Sequence, residues 1–292
     1  MKITFIASES NPFIKTGGLA DVVYSLAQEF VTLNHEVNII IPFYSKIKDN
    51  ISVSLHYLGA FQIDMSWRKV EVKVCKTVYR NITYYFIEND RYFARRNVYG
   101  ESDEGERFAF FSQAAINVVM KYDLKPDILH VHDWQVGMIP CLMKEKYSEY
   151  FKDTKSIITI HNPAFQGTFP RDFILDIYSL PASVYDEGAI RLNDNVSTLK
   201  AGIMYADKIT TVSPTHRLEL LTPEGGMGLE GAFRLREFDF VGILRFLHSV
   251  SIQLLPLLPT EIMHLRQENS ALSVITVNPS SVFFTSVTGV SK

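Results

Sequence analysis

The spacing of apolar residues in the first forty positions constrains the fold more than any motif does. Ile3 to Ala7 forms an apolar run of strand length. Glu36 to Ile41 is a second, β-branched run closed by Pro42. Between them Leu19, Val22, Val23, Leu26, Ala27 and Phe30 recur at helical spacing. Strand, helix and strand in so short a stretch make a βαβ unit, which calls for a parallel sheet. From Ile51 to Ile87 the texture changes. Val53 to Leu55, Val70 to Val74 and Ile82 to Phe86 run apolar or alternate with β-formers, which predicts hairpins inserted into the α/β order. Asp103 to Tyr122 then reads as a helix with an acidic start, ended by Pro126. Parallel order resumes with strands at Asp127 to Val131, Ser156 to Ile160 and Lys208 to Val212, and with helices at Gln135 to Tyr147 and Asn195 to Tyr205. The fold class is α/β: a parallel sheet with helices on both faces and an inserted hairpin region.

The three later strands all end in polar residues: His132-Asp133-Trp134, His161-Asn162-Pro163 and Ser213-Pro214. In open α/β sheets ligands bind at the carboxyl ends of the strands, so these ends are the candidate site. The first strand leads into Lys15-Thr16-Gly17-Gly18-Leu19-Ala20-Asp21. A lysine and two bare backbone N–H groups at a helix N-terminus suit an anion; two glycines also serve simply to turn the chain. Asp21 is either a first-turn carboxylate favoured by the helix dipole or a partner for a sugar hydroxyl. Asp133 reads as a helix cap or a hydroxyl acceptor, and Trp134 as a core residue or a sugar platform. His161 with Asn162 reads as a structural pair or as donors to a ligand. Tyr99, in a loop with Tyr92 and Phe93, offers stacking or plugs the loop onto the core. Gly225 to Gly231 reads as a mobile loop.

Several classes are excluded. A net charge of −3 argues against a nucleic-acid binder. Cys75 and Cys141 are too few for a disulfide framework and sit in no metal-ligand spacing; His130, His132 and His161 suggest a metal, but His130 and His132 alternate along a strand with no carboxylate partner at useful spacing, so no metal is expected. The dinucleotide glycine fingerprint and the nucleophile elbow are both absent. The stretch Phe238 to Pro259 is broken by Arg245, His248, Pro256 and Pro259, a poor membrane span, and a strand beginning at Lys2 leaves no room for a leader; the expected place is the cytoplasm, with no membrane partner.

Six collinear blocks carry a resemblance. They are Lys15 to Asp21, His130 to Trp134, His161 to Gly167, Leu199 to Gly202, Tyr205 to Pro214 and Gly226 to Gly231, and they resemble bacterial glycogen synthase and plant starch synthase. The resemblance implies a Rossmann-like domain, the N-terminal half of a GT-B two-domain glycosyltransferase. It implies transfer of glucose from ADP-glucose to the non-reducing end of an α-1,4-glucan (glycogen or maltooligosaccharide), with retention of configuration and with neither metal nor cofactor. By position Lys15, Gly17, Gly18, Asp21 and Asn162 would meet the donor, with Lys15 and Gly18 near its phosphates. Asp21, Tyr99 and Asp133 would contact the glucose or the acceptor, with Trp134 on the acceptor side. His161 would sit over the transferred glucose and, with Asp133, carry the catalysis.

Pro163, Phe165 and His216 depart mildly from the family pattern. The larger departure follows Val241-Gly242-Ile243-Leu244, after which nothing resembles the family. The expected organisation is therefore a family domain over 1–244 and a poorly ordered, unrelated tail over 245–292, without the relatives' nucleotide-binding second domain. Alone, such a chain is expected to transfer little or no glucose. The alternatives are an inactive α-glucan-binding fragment and another GT-B glycosyltransferase.

Overall fold

A computed structural model describes residues 1–50 and 52–244 (for residue 175 the backbone alone), and beyond them the backbone of four strands, 252–254, 261–265, 272–278 and 281–287. Those four pair antiparallel in chain order. The expectations for the tail and for the apolar stretch ending at Pro259 fall largely outside the described residues.

In chain order the strands of the body are β1 (Lys2–Ile6), β2 (Glu36–Pro42), β3 (His56–Met65), β4 (Arg68–Tyr79), β5 (Ile82–Glu88), β6 (Ile128–His132) and β7 (Lys155–Ile160). The two-residue β8 (Thr168–Phe169) and β9 (Arg191–Leu192) follow, then β10 (Asn195–Ser197), β11 (Lys208–Thr211) and β12 (Phe240–Gly242). Nine of them form one sheet in the order β12-β11-β7-β6-β1-β2-β5-β4-β3. The seven strands from β12 to β5 are parallel neighbours; β4 alone runs against the rest, as the middle strand of the inserted hairpins. Parallel strands are covered on both faces, which is why β1, β2 and β6 read as almost continuous buried runs.

The topology separates the helices. From β1 the chain steps one way to β2 through the helix Gly18–Thr32. From β5 it returns past β2 and β1 to β6 through the helix Glu104–Lys121, then continues the same way through Ile139–Glu145 and Thr198–Tyr205. Right-handed crossovers in opposite directions put the first helix on one face and the later three on the other. Residues 104–121 pack on 139–145, and 139–145 pack on 198–205, as that placement requires. The reversal of direction lies between β1 and β6, at the topological switch point of the sheet.

Four local expectations are corrected. The first hairpin strand is His56–Met65, not Val53 to Leu55; it is the exposed sheet edge, and only Ile63 and Met65 along it are buried, so its alternation is weak. The helix expected from Gln135 is a single 3₁₀ turn, Trp134–Val136, followed by Ile139–Glu145 with Pro140 in its first turn. The helix expected from Asn195 begins at Thr198. The Ser197 hydroxyl caps it by accepting from the Lys200 N–H, and Asn195–Ser197 pair with β8 and β9 instead. Gly225 to Gly231 is folded into two short helices, Pro223–Gly226 and Glu230–Leu235, joined through Met227 at positive φ.

Among the described residues, no helix is long and apolar enough to cross a membrane.

Candidate active site

A cleft of about 840 Å³ opens at the carboxyl ends of β1, β6 and β7, at the switch point. Its lining includes Gly17, Gly18, Tyr99, Asp133, Trp134, His161 and Asn162. Seven of the nine positions singled out in the sequence thus converge on one concave surface. Lys15 and Asp21 are not on that surface. They form an ion pair of 2.9 Å beside it, with Asp21 also accepting from the Asn11 amide. The lysine is half exposed.

The helix Gly18–Thr32 begins at the cleft with Gly17 as its cap residue and no side-chain cap. The N–H groups that a serine or aspartate would normally engage are left for a ligand, and the helix dipole favours an anion there. Glu9 anchors the approach: its carboxylate is buried and accepts the Thr16 N–H, fixing the loop that carries Lys15 and Gly17.

Asp133 organises the opposite side. Its backbone has φ 58° and ψ −170°, a conformation almost confined to glycine that costs an aspartate about 1–3 kcal/mol. The carboxylate oxygen accepts the His161 N–H at 2.7 Å, and the Asn162 N–H also bonds to it. The turn after β7 is thereby tied to the turn after β6. Burial is the main cause that raises the Asp133 pKa to about 7, with Glu9 adding to it and the two N–H bonds opposing it.

His161 meets His132, whose Nδ1 lies 3.0 Å from its Nε2. Behind them His130 stacks on His132 with ring centroids 4.4 Å apart and bonds the Thr159 hydroxyl at 2.7 Å. Burial holds the His130 pKa down at about 3 and holds His132 well below its usual value. Both rings are therefore neutral parts of the core.

Trp134 is a core residue that also reaches the cleft. Its ring packs edge-on to Phe108 at 5.3 Å and against Phe169 at 6.0 Å, yet it still lines the cleft. Gly167, at φ +57°, lets the chain pass beneath it; a Cβ there would lie 2.6 Å from the indole and 2.1 Å from the Thr198 hydroxyl. Tyr99 hydrogen-bonds the Ser8 hydroxyl at 2.7 Å, and burial pushes its phenol up, so it acts as a neutral donor or acceptor. Asn162 turns its carbonyl oxygen to the Ala164 N–H. Phe165 stands exposed at the rim.

Sequence reasoning missed Glu9 and Glu104. Glu104 lines the cleft and accepts the Gly100 N–H at 2.7 Å. Glu9 carried no clear signal, since a glutamate just past a strand is usually solvated. Glu104 was legible only as a first-turn carboxylate. Among the described residues, no cluster of three or more His, Cys, Asp or Glu is arranged to hold a metal ion.

Comparisons with known proteins place the chain in a family. A family model for the starch synthase catalytic domain matches residues 2–235. Glycogen synthase of Streptococcus gordonii is 41% identical over 246 residues, covering 84% of this chain and 52% of that protein. Glycogen synthase of Clostridium kluyveri is 40% identical over the same length, with the same coverage. Among solved structures, the catalytic domain of starch synthase IV from Arabidopsis thaliana, bound to ADP and acarbose, is similar with a TM-score of 0.78 and 30% identity. The match covers 83% of this chain and 51% of that one. The chain spans about half the length of the curated relatives it matches.

Proposed function

Because the chain belongs to the starch synthase catalytic-domain family of glycosyltransferases, we propose that its cleft is one wall of a site that transfers glucose from ADP-glucose to the non-reducing end of an α-1,4-glucan. The observation that carries this reading is the convergence of an uncapped helix N-terminus and the Asp133-held His161 turn on one cleft at the switch point.

The division of labour follows from the chemistry. The N–H groups at Gly17 and Gly18, with Lys15 beside them, favour the negative charge of a sugar-nucleotide diphosphate. Trp134 and Tyr99 offer an aromatic surface and a hydroxyl to a glucan, which needs stacking and hydrogen bonds in alternation. His161 is fixed at its N–H by Asp133 and at its ring by His132, so its backbone carbonyl oxygen is held in place for the positive charge that develops on the transferred sugar. Asp133, with its pKa near neutrality, responds to its surroundings at working pH.

Transfer needs groups on both sides of the reacting sugar. The 292 residues on their own are therefore expected to bind glucan without turning over. On a glycogen affinity gel the pure chain should be retained and released by maltooligosaccharide, and labelled glucose from ADP-glucose should not enter glycogen. Passage straight through the gel, by a chain whose circular dichroism shows it folded, contradicts the acceptor surface. Measurable incorporation contradicts the need for a second wall.

A further inference from the structure

We propose that His132 is a positioning residue that places the proton of His161 on Nδ1 and holds that ring neutral in one orientation. His132 Nδ1 and His161 Nε2 are 3.0 Å apart, so one of the two atoms carries the proton between them. His132 is fully buried and neutral, with a single ring proton. Its other nitrogen, Nε2, is buried and has no hydrogen-bond partner among the described residues. If His161 were the donor, the His132 proton would have to sit on Nε2, leaving a buried N–H with nothing to receive it. Orphaned buried N–H groups are the rarer kind of unsatisfied atom. If His132 Nδ1–H is the donor, Nε2 is a bare lone pair, and the proton of His161 falls on Nδ1.

The neighbours leave no other route for that proton. Phe5 packs on His132 with centroids 6.0 Å apart, and His130 stacks on it at 4.4 Å. His130 has its own outlet. The Thr210 hydroxyl donates to the Ile158 carbonyl and receives from the Thr159 hydroxyl, so Thr159 accepts from His130 Nε2–H. The two core histidines thus carry their protons on different nitrogens, each set by what the register of β6, β7 and β11 puts beside it.

The consequence for the reaction rests on the glucosyltransferase reading; the tautomer does not. With Nε2 engaged by His132, His161 cannot take up a proton there without breaking that bond. It serves as a neutral hydrogen-bonding group and not as a general base.

Long-range ¹H–¹⁵N correlation spectra of the histidine-labelled chain at neutral pH test this without any substrate. His161 is expected to show a protonated Nδ1 and a bare Nε2. His132→Asn, whose amide N–H can occupy the place of Nδ1–H, should preserve that pattern. His132→Phe should shift the His161 proton toward Nε2. A wild-type spectrum with the proton on Nε2, or a folded His132→Phe chain with an unchanged His161, overturns the proposal. Should His132→Phe not fold, the wild-type and His132→Asn spectra decide. The expected tautomer in a chain that ignores glucan would count against the functional reading and leave this assignment standing.

Discussion

Gly137→Val is expected to abolish folding, and Gly137→Ala to lower the stability of the chain by about 3 kcal/mol or more in urea unfolding. The reason is space alone. Gly137 has φ −62° and ψ −22°, an ordinary helical conformation that any residue adopts. A Cβ there would lie 2.2 Å from the Thr198 carbonyl oxygen and 2.8 Å from its carbon. Backbone cannot yield as the end of a side chain can. Gly202 closes the same contact from the other side; its Cβ would meet Ile158 at 2.2 Å and the Gly137 carbonyl oxygen at 3.1 Å. Through this pair of glycines the helix Thr198–Tyr205 seats directly on the turn that carries Trp134, and the Thr198 hydroxyl donates to the Trp134 carbonyl at 2.7 Å. Gly231 is the control. It lies in the helix Glu230–Leu235 with open space around it, so Gly231→Ala should stabilise by roughly 0.5–1 kcal/mol through helix propensity. Equal effects at the two positions would refute the packing argument.

The second large effect is a pH dependence in which neighbouring groups oppose each other. His130 has its folded pKa depressed from 6.5 to about 3, and that of His132 is also well below 6.5. Between about 3 and 6.5 the unfolded chain binds the His130 proton and the folded chain does not, so acidification destabilises by about 1.4 kcal/mol per pH unit, and the lowered His132 acts in the same direction. Asp133 acts with the opposite sign. Its folded pKa is raised from 3.8 to about 7, so the folded chain binds that proton first, and acidification across this window stabilises by a similar slope. Two histidines outweigh one aspartate. From pH 6 down to pH 4.5 these three groups together should cost about 1.4 kcal/mol per unit. Asp133→Asn removes the opposing member and should make the slope about one proton steeper. His130→Gln removes one of the pair and should make it about one proton shallower. Unfolding free energies measured across this range for the three proteins give the slopes. An unchanged slope in Asp133→Asn would mean that the aspartate is ionised in both states across this range, and burial would not be controlling it.

Much of the fold was legible because a parallel sheet buried on both faces leaves unbroken apolar runs. β1, β2, β6, β7 and β11 were all found from such runs, and the site was found from the polar residues that end three of them. What was not legible depended on partners distant in sequence. The strand at Asn195–Ser197 exists because Phe169 and Leu192 come beside it, and no local pattern distinguishes it from the first turn of the helix that follows. β3 was misplaced because an exposed edge strand has no apolar face to announce its register. The pairing of Lys15 with Asp21 was hidden although both residues were singled out, since spacing along a turn does not say which carboxylate a lysine will meet. The contact between His132 and His161 depends on the β6–β7 register, which sets His132 opposite Thr159 and so brings the next turn within reach. The residues that line the candidate site are ones the sequence exposes, and their electrostatics come from neighbours that only the fold supplies.

The proposed function requires the cleft at the carboxyl ends of β1, β6 and β7 to hold α-1,4-glucan against Trp134. The chain has two tryptophans, and the other, Trp67, stands 78% exposed on the β3–β4 turn. In Trp67→Phe all indole emission comes from Trp134. Titration of that protein with maltoheptaose should give a saturable change in emission. A folded Trp67→Phe chain whose emission does not respond to maltoheptaose would contradict the claim.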